Sequence, residues 1–327
     1  MALTKLRPAG QGFVNGPRNL IINGSMDIAQ RGSSHTTEGY GSLDRYYLAL
    51  SGASSVTMSQ QAFSTADRNS LGFEKYLKLV VGTANNNCGI FHKIEASDAV
   101  RLIGQKATLS FYAKGTNPAG GSFTMQPQWY NNSSGGGDNG VAQSLTVTSS
   151  WVKYSFTFDI PAPANTTIDN NAYLSNAFLQ PSGDTSTTAW ELNLAGLQFE
   201  AGENASDFEH EDYGTTLAKC QRYYQKSYNY SVAPATNTQV GATYQTTDAS
   251  GNYASAGYTH FPVRMRATPT ITSYDFAGNS GKIRGGADNV AVVIQAPSEN
   301  GFGNYVNNVS SGAGAGIAIH YEASAEL

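Results

Sequence analysis

Apolar and polar residues alternate in short runs along most of this chain, and clusters of glycine, asparagine and serine separate the runs. Residues 151–160 show the pattern most clearly. One set of side chains is apolar (Val152, Tyr154, Phe156, Phe158 and Ile160), and the interleaved set is polar (Lys153, Ser155, Thr157 and Asp159). Successive side chains of a β-strand point to opposite faces, so this period of two predicts a strand with its apolar face buried.

Other runs in the first two thirds of the chain predict strands of the same kind, at residues 75–81, 107–113, 122–130 and 190–194. Gly196 follows the last run and predicts a β-bulge. Evenly spaced antiparallel strands with one dry and one wet face favour a two-sheet sandwich. The predicted fold class is therefore all-β, with a jelly-roll β-sandwich followed by a short helix and a second C-terminal β domain.

The period changes near Thr215, where Leu217, Cys220 and Tyr224 fall on one face of a predicted helix of about three turns. Thr215 or Thr216 is the expected N-cap. A second β region follows, with predicted strands at residues 238–244, 258–265, 270–274, 290–294 and 316–322.

These patterns divide the chain into four predicted parts. They are an N-terminal docking arm at residues 1–17, a jelly roll at 18–212, a helical connector at 213–227 and a C-terminal β domain at 228–327. The segment 131–140 is too polar and rich in glycine to fold alone, and it predicts a surface loop.

The composition describes a polar surface that carries little charge. Charged residues make up 13% of the 327 residues and aromatic residues 11%, with 35 glycines and 19 tyrosines. Such a surface suits a ligand with many hydroxyl groups, because tyrosine offers a flat ring and a hydroxyl at little entropic cost. Many β-rich extracellular-type proteins share this composition, so that alternative stays open.

Charge and cysteine usage restrict the class of partner and the compartment. The formal net charge of -4 argues against a nucleic-acid partner, which requires a basic surface. No stretch reaches the roughly 20 apolar residues of a membrane span, and the N-terminus lacks the apolar core of a secretory signal. We therefore expect synthesis and assembly in a cytoplasm, with Cys88 and Cys220 as unpaired thiols.

The best candidate binding residues lie on the run 122–130. Alternation places Thr124, Gln126, Gln128 and Tyr130 opposite the apolar side chains of that run. If the preceding strand is a neighbour in the sheet, Tyr112 joins Gln126, Gln128 and Tyr130 in a polar patch with aromatic rings. This patch is the predicted ligand site. An ordinary wet sheet face, or one covered by another subunit, is the alternative.

Chemistry beyond binding finds little support in the sequence. The cluster at residues 209–212 (Glu-His-Glu-Asp) has no second histidine nearby, and its acids favour the N-terminal end of the following helix. Asp159, Glu191 and Glu200 are candidate carboxylates for hydrolysis, but we interpret them as charges at the rim of the sheets. Motifs of serine hydrolases, P-loop proteins and zinc proteases are absent from the sequence, so we expect no enzyme activity.

Two separated segments resemble those of bacteriophage tail-fibre and virion-surface proteins. The first is Arg-Asn-Leu-Ile-Ile-Asn-Gly-Ser-Met-Asp-Ile-Ala-Gln-Arg-Gly at residues 18–32, followed by Leu-Asp-Arg-Tyr at 43–46. The second comprises Leu-Gln-Phe-Glu-Ala-Gly at 197–202, Phe-Glu-His-Glu-Asp-Tyr-Gly at 208–214 and Cys-Gln-Arg-Tyr-Tyr at 220–224. The resemblance covers about residues 18–226 and continues more loosely at residues 261–269 and 319–327.

The jelly-roll domain of that family looks like the carbohydrate-binding modules of glycan-degrading enzymes. The resemblance implies a virion protein on the tail or capsid surface that attaches the phage to a host surface glycan. It also implies other virion proteins as partners and a homotrimer, with no nucleic acid and no membrane insertion. A structural adaptor or decoration protein is the first alternative, and a polysaccharide depolymerase is the second. No cofactor is expected, although a structural calcium ion near Asp27 and Asp44 is an open alternative.

Overall fold

The protein is described by a computed structural model that covers residues 17–51, 55–82, 87–118, 121–130, 137–163, 170–179, 189–247, 253–306 and 316–327. The chain forms two compact units. The first comprises residues up to Asp27, residues 34–211 and Leu327, and the second comprises residues 28–33 and 212–326. The predicted docking arm lies outside the described residues except for Pro17, and the domain boundaries given above stay predictions.

The first unit is a sandwich of two antiparallel sheets, as the alternation predicted. The first sheet contains, in spatial order, β1 (Ser34–His35), β3 (Val56–Ala62), β4 (Lys75–Val81), β12 (Trp190–Ala201), β6 (Lys106–Thr116) and β10 (Val152–Asp159). The second sheet contains β2 (Tyr46–Ser51), β5 (Asn87–Glu95), β11 (Tyr173–Leu179), β7 (Phe123–Tyr130) and β8 (Gly137–Asn139), and β9 (Gln143–Leu145) also pairs with β7.

One hydrophobic core lies between these sheets and is built from their inward-facing side chains. Strand β7 illustrates the principle, because every second side chain is buried (Phe123, Met125, Pro127 and Trp129) and those between and after them are partly exposed (Thr124, Gln126, Gln128 and Tyr130). The other large contributors include Leu77, Leu79, Leu109, Phe111, Leu174, Leu192, Leu194, Leu197 and Phe199. Burial of this much apolar surface is the main stabilising contribution to such a fold.

Strand β10 follows the predicted alternation only in part. Phe158 and Ile160 are buried, and Tyr154 and Phe156 pack against the core while remaining partly exposed. Val152, predicted to lie on the buried face, is 38% exposed. The reason is that, among the described strands, β10 is the last of its sheet and pairs with β6 alone, so the start of β10 lies at the edge of the core.

The predicted bulge is confirmed in β12. The register between β12 and β6 shifts between Ala195 and Gln198, and Gly196 has a φ of 59°. The extra residue allows Leu194 and Leu197 to be buried together although they are three positions apart. The residues that face the core therefore shift by one position at the bulge.

Short helices connect some of the strands of the first unit. Helix α1 (Thr65–Leu71) has Ser64 as its N-cap, and the Ser64 side chain accepts a hydrogen bond from the Asp67 amide. Helix α2 (Ala96–Ala99) continues into a 3-10 turn at Val100–Leu102. The alternation of the sequence did not predict these helices, because each is too short to develop a helical period.

The predicted helix near Thr215 is present as α3 (Tyr213–Gln221), but two details of the prediction are wrong. Asp212 is the N-cap rather than Thr215 or Thr216, and its side chain accepts a hydrogen bond from the Thr215 amide at 3.0 Å. The helix ends before Tyr224, which lies in the strand β13 (Tyr224–Lys226). Leu217 and Cys220 are buried on one face as predicted.

The second unit is a separate antiparallel β structure. Its main path contains β13, β20 (Gly316–Ser324), β17 (Lys282–Gly285), β18 (Ala287–Ser298), β19 (Gly301–Val306) and β15 (Tyr253–His260), while β14 (Thr243–Thr246) and β16 (Thr270–Tyr274) also pair with β20. Its core includes Met265, Ile283, Phe302, Ile317, Ile319 and Tyr321.

Several predicted strand limits in this unit differ from the structure. Strand β14 begins at Thr243 rather than at residue 238, and β15 ends at His260 rather than at residue 265. The second difference follows from Pro262, which lacks the amide hydrogen that a strand interior requires. Strands β13, β17 and β19 are too short or too rich in glycine to be read from alternation alone.

Cys88 and Cys220 are both buried and neither forms a disulfide bond, as expected. Burial raises the pKa of the Cys88 thiol to about 12. None of the described helices has the length and apolar character needed to cross a bilayer.

Candidate functional site

The predicted patch of four residues does not form as proposed, because β6 and β7 belong to different sheets. Tyr112 lies on the outward face of the first sheet, where its ring meets the ring of Phe73 at a centroid distance of 5.9 Å. Gln126, Gln128 and Tyr130 lie on the second sheet. The expectation that Tyr112 would be their neighbour is therefore wrong, since the chain crosses from one sheet to the other after β6.

The three remaining residues form a connected row along the outward face of β7. Tyr130 Oη donates to Gln128 Oε1 at 3.1 Å, and Gln128 Nε2 donates to Gln126 Oε1 at 3.1 Å. Gln126 Nε2 donates to the main-chain oxygen of Gly140 at 2.7 Å. These bonds fix three flexible side chains in one direction, which lowers the entropy that a ligand would have to remove.

Strand β11 extends this row sideways. Its register places Tyr173 opposite Tyr130 and Ser175 opposite Gln128. The two tyrosine rings stack at a centroid distance of 4.7 Å with an interplanar angle of 21°. Ser175 is fully buried, and its Oγ has no hydrogen-bond partner within the described part of the chain.

A lysine and a tyrosine on the next two strands, together with Tyr40 from the connection before β2, complete the face. Lys93 of β5 lies opposite Ser175, and its Nζ is 4.8 Å from the ring centre of Tyr173. The same Nζ is 4.5 Å from the ring centre of Tyr47 on β2 and 5.6 Å from that of Tyr40. Lys93 Nζ also donates to the main-chain oxygen of Leu327 at 2.6 Å. We call the surface formed by Tyr40, Tyr47, Lys93, Gln126, Gln128, Tyr130 and Tyr173 the tyrosine face.

Three phenols of this face, those of Tyr47, Tyr130 and Tyr173, are neutral hydrogen-bonding groups at physiological pH. Burial raises the pKa of Tyr173 to about 12, and the neighbouring Tyr130 and Tyr47 contribute in the same direction. Burial and the hydrogen bond to Glu38 raise the pKa of Tyr47 to about 12. Burial also raises the pKa of Tyr130. The face therefore combines apolar rings, hydroxyl groups, amides and one ammonium group.

The sequence reasoning missed Tyr40, Tyr47, Lys93 and Tyr173. The sequence contains no signal for Lys93, since residues 90–94 (Ile-Phe-His-Lys-Ile) do not alternate between apolar and polar residues, although Ile90, His92 and Ile94 are buried. Alternation reveals which face of a strand is wet, but it does not reveal which strands lie side by side. The partners of β7 were therefore not available from the pattern.

The three candidate carboxylates each have a structural partner. Glu191 lies 2.8 Å from Lys78 Nζ, and burial, which raises its pKa, is outweighed by Lys78 and Asn193, so that its pKa is lowered. Glu200 is buried and accepts hydrogen bonds from Ser206 and Gln198. Asp159 is exposed and lies 3.5 Å from Lys106 Nζ.

The cluster at residues 209–212 makes structural contacts, and its last acid lies at the N-terminal end of the following helix, as the sequence indicates. Glu209 accepts a hydrogen bond from the Asn19 amide at 2.6 Å, the His210 ring stacks on Phe73 at 5.5 Å, and Asp212 caps α3. Within the described residues, no group of three or more His, Cys, Asp or Glu side chains is arranged to hold a metal ion. A calcium ion near Asp27 and Asp44 stays a prediction.

No protein-family model matches the chain, and no curated protein matches it. Among solved structures, the enzymatically active domain of tailspike protein 4 from bacteriophage CBA120 is 15% identical over 56% of this chain and 21% of that chain, with a TM-score of 0.36. A family 11 carbohydrate-binding module of a cellulosomal cellulase from Clostridium thermocellum is 12% identical over 54% of this chain and 98% of its own, with a TM-score of 0.33. A module solved in complex with β-1,4-galactotriose is 8% identical over 57% of this chain and 99% of its own, with a TM-score of 0.31.

Proposed function

We propose that the first unit binds a saccharide on its tyrosine face. The observation that carries this proposal is the stacked pair Tyr130 and Tyr173 beside the hydrogen-bonded row of Gln126 and Gln128. A pyranose ring has apolar C–H faces and a rim of hydroxyl groups. The tyrosine face offers a partner for both, because it places aromatic rings next to amides and phenols.

We expect a single site of this kind to bind a saccharide weakly, so that several copies of the site must bind at the same time. Water competes for each hydrogen bond to a sugar hydroxyl, so the net contribution of one bond is only about 0.5–1.5 kcal/mol. Linking several copies of a weak site raises the effective concentration and with it the overall affinity. A surface of this kind is therefore most useful on an assembly that presents many copies.

We further propose that the chain is a virion-surface protein of a bacteriophage, most simply a tail-fibre protein, that attaches the particle to a glycan of the host cell. The support is the pair of segments at residues 18–32 and 197–224, which resemble tail-fibre proteins. Assembly in the host cytoplasm, association with other virion proteins and a homotrimer belong to this proposal. So does a purely binding role without catalysis, since the candidate carboxylates Asp159, Glu191 and Glu200 hold structural contacts.

The test is a glycan-array and calorimetry experiment with the full chain. We expect Tyr173→Ala to weaken saccharide binding about tenfold, because an aromatic contact contributes roughly 0.5–1.5 kcal/mol beyond its buried area. Tyr244→Ala is the matched control, since Tyr244 is 64% exposed in the second unit and should leave binding unchanged.

Three results would overturn the proposal. Binding to no glycan and to no host envelope would favour a structural adaptor or decoration protein. Equal affinities of Tyr173→Ala and the unaltered chain would remove the tyrosine face as the site. Release of reducing ends from host polysaccharide would replace the binding role with that of a depolymerase.

A further inference from the structure

A second group of aromatic rings lies on the outward face of the first sheet. The ring of Trp151 is 5.0 Å from that of Phe63 and 5.3 Å from that of Tyr76, and Phe63 and Tyr76 are 4.9 Å apart between centroids. All three side chains are partly exposed. We call the surface formed by Phe63, Tyr76, Trp151, Lys114 and Asn193 the Trp151 platform.

The strand register explains why these side chains meet. Asn193 of β12 lies between Lys78 of β4 and Lys114 of β6, and the next strand, β10, starts directly after Trp151. The neighbouring residues Leu192 and Leu194 point into the core, so Asn193 belongs to the outward face. The platform and the tyrosine face therefore lie on the two different sheets of the sandwich.

The platform carries an excess of positive charge. Lys114 Nζ lies 5.0 Å from the ring centre of Trp151; its charge helps to lower the pKa of Glu191, but among the described residues no carboxylate lies within ion-pair distance of it. Lys78 is paired with Glu191 at 2.8 Å, and Lys153 is exposed on the outward side of β10. In a chain with a formal net charge of -4, this local excess complements an anionic ligand.

Two polar atoms of the platform have no hydrogen-bond partner within the described part of the chain. They are Oδ1 of Asn193, a residue that is 1% exposed, and Nε1 of Trp151. The Asn193 amide nitrogen is satisfied, since it donates to Glu191 Oε1 at 2.7 Å and to the Lys114 main-chain oxygen at 3.2 Å. Buried polar atoms nearly always have a partner, so these two atoms mark positions where an ordered water or a polar ligand completes the hydrogen bonding.

We propose that the Trp151 platform is a second binding site, which takes an acidic saccharide with its pyranose ring on Trp151 and its carboxylate at Lys114. A sugar hydroxyl both donates and accepts, which matches Asn193 Oδ1 and Trp151 Nε1. A flat C–H face matches the rings, and a uronate carboxylate matches the lysine. This site does not depend on the tyrosine face, because it uses other residues on the other sheet.

Tryptophan emission gives a direct readout. Trp129 and Trp190 are 0% and 3% exposed, so Trp151 supplies the solvent-sensitive part of the signal. The full chain is titrated with oligosaccharides of galacturonate, mannuronate, guluronate and glucuronate. We expect at least one of them to change the emission in a saturable way, and Lys114→Met to weaken that binding about fivefold. Lys282→Met, which removes the same charge from the second unit, should have no effect.

Three controls make the result decisive. Neutral galactotriose should bind at least fivefold more weakly than the corresponding uronate, in line with the loss of one ion pair. Polyglutamate should give no saturable change, and an equal response to it would overturn the saccharide assignment. No response to any of the four uronates would overturn the site itself. Tyr173→Ala should leave the uronate response unchanged, so failure at one face is distinguishable from failure at the other.

Discussion

At the scale of single residues, His92 is a titratable group that the fold keeps neutral. It is fully enclosed in the first unit, its ring lies 5.3 Å from that of Tyr46, and Nε2 is 3.1 Å from the main-chain oxygen of Ile22. Burial and the nearby Arg45 lower the pKa of His92 to about 3, against an ordinary value of 6.5. The folded protein therefore does not bind the proton that the unfolded chain binds below pH 6.5.

This difference predicts a loss of stability in mild acid. Because the unfolded state binds more protons, the free energy of unfolding falls as the pH drops from 6.5 toward 3, by up to about 1.4 kcal/mol per pH unit. His92→Gln keeps a donor for Ile22 and removes the titration. Urea unfolding followed by tryptophan emission should show the stability of the unaltered chain falling relative to the variant by roughly 2–3 kcal/mol between about pH 7 and about pH 4.5. If the stabilities of the unaltered chain and of His92→Gln changed equally with pH, His92 would bind its proton in the folded state as it does in the unfolded state.

At the scale of elements, the bulge in β12 shows how one glycine sets the path of a strand. A Cβ atom on Gly196 would lie 2.3 Å from Cζ of Phe73, and the φ of 59° disfavours any residue with a side chain. Both effects act at the point where the register changes. The side chain of Phe73 therefore packs directly on the bulge.

We expect Gly196→Ala to destabilise the first unit more than a glycine replacement that meets no neighbour. Gly104 is the matched control, since its φ is 68° and a Cβ there would have nothing within 4 Å. Gly104→Ala should cost about 1–2 kcal/mol for the backbone conformation, and Gly196→Ala should cost about 1–3 kcal/mol more for the overlap. In a Phe73→Ala background, Gly196→Ala should lower the free energy of unfolding, measured by urea unfolding, no more than Gly104→Ala does. An unchanged extra cost in that background would show that Phe73 is not its source.

The elements also show what the sequence could and could not predict. The alternation in residues 122–130 placed Gln126, Gln128 and Tyr130 on the wet face correctly, because side-chain direction is a local property of a strand. Tyr112 was misplaced because strand pairing depends on contacts far apart in the sequence. The cap of α3 was assigned to a threonine, since a hydroxyl and a carboxylate are nearly equal N-caps and the pattern does not fix the helix start.

At the scale of the whole molecule, the second unit includes residues 28–33, which precede nearly all of the first unit in the sequence. Lys226 explains how this segment is held. Its ammonium group donates to the main-chain oxygens of Gln30, Tyr230 and Val232, and Gln30 is 196 positions away. The Lys226 side chain is buried, and the sequence around residue 226 does not indicate that Gln30 is its partner. The membership of residues 28–33 was therefore beyond sequence reasoning.

Lys226→Met should remove this link and weaken the second unit. The variant keeps most of the apolar stem but leaves three carbonyl oxygens without their donor, and each such loss costs roughly 1–3 kcal/mol before relaxation. Because the three oxygens can relax toward other donors, we expect a total of about 3 kcal/mol. Hydrogen exchange of the amides in β20, which pairs with β13 beside Lys226, measures this directly. Lys282→Met is the control, since Lys282 is partly exposed and should leave those amides protected. Equal protection of β20 in both variants would mean that the ammonium group contributes no net stability, and that the segment 28–33 is held by its other contacts, such as the hydrogen bond from Gln30 Nε2 to the Tyr224 main-chain oxygen.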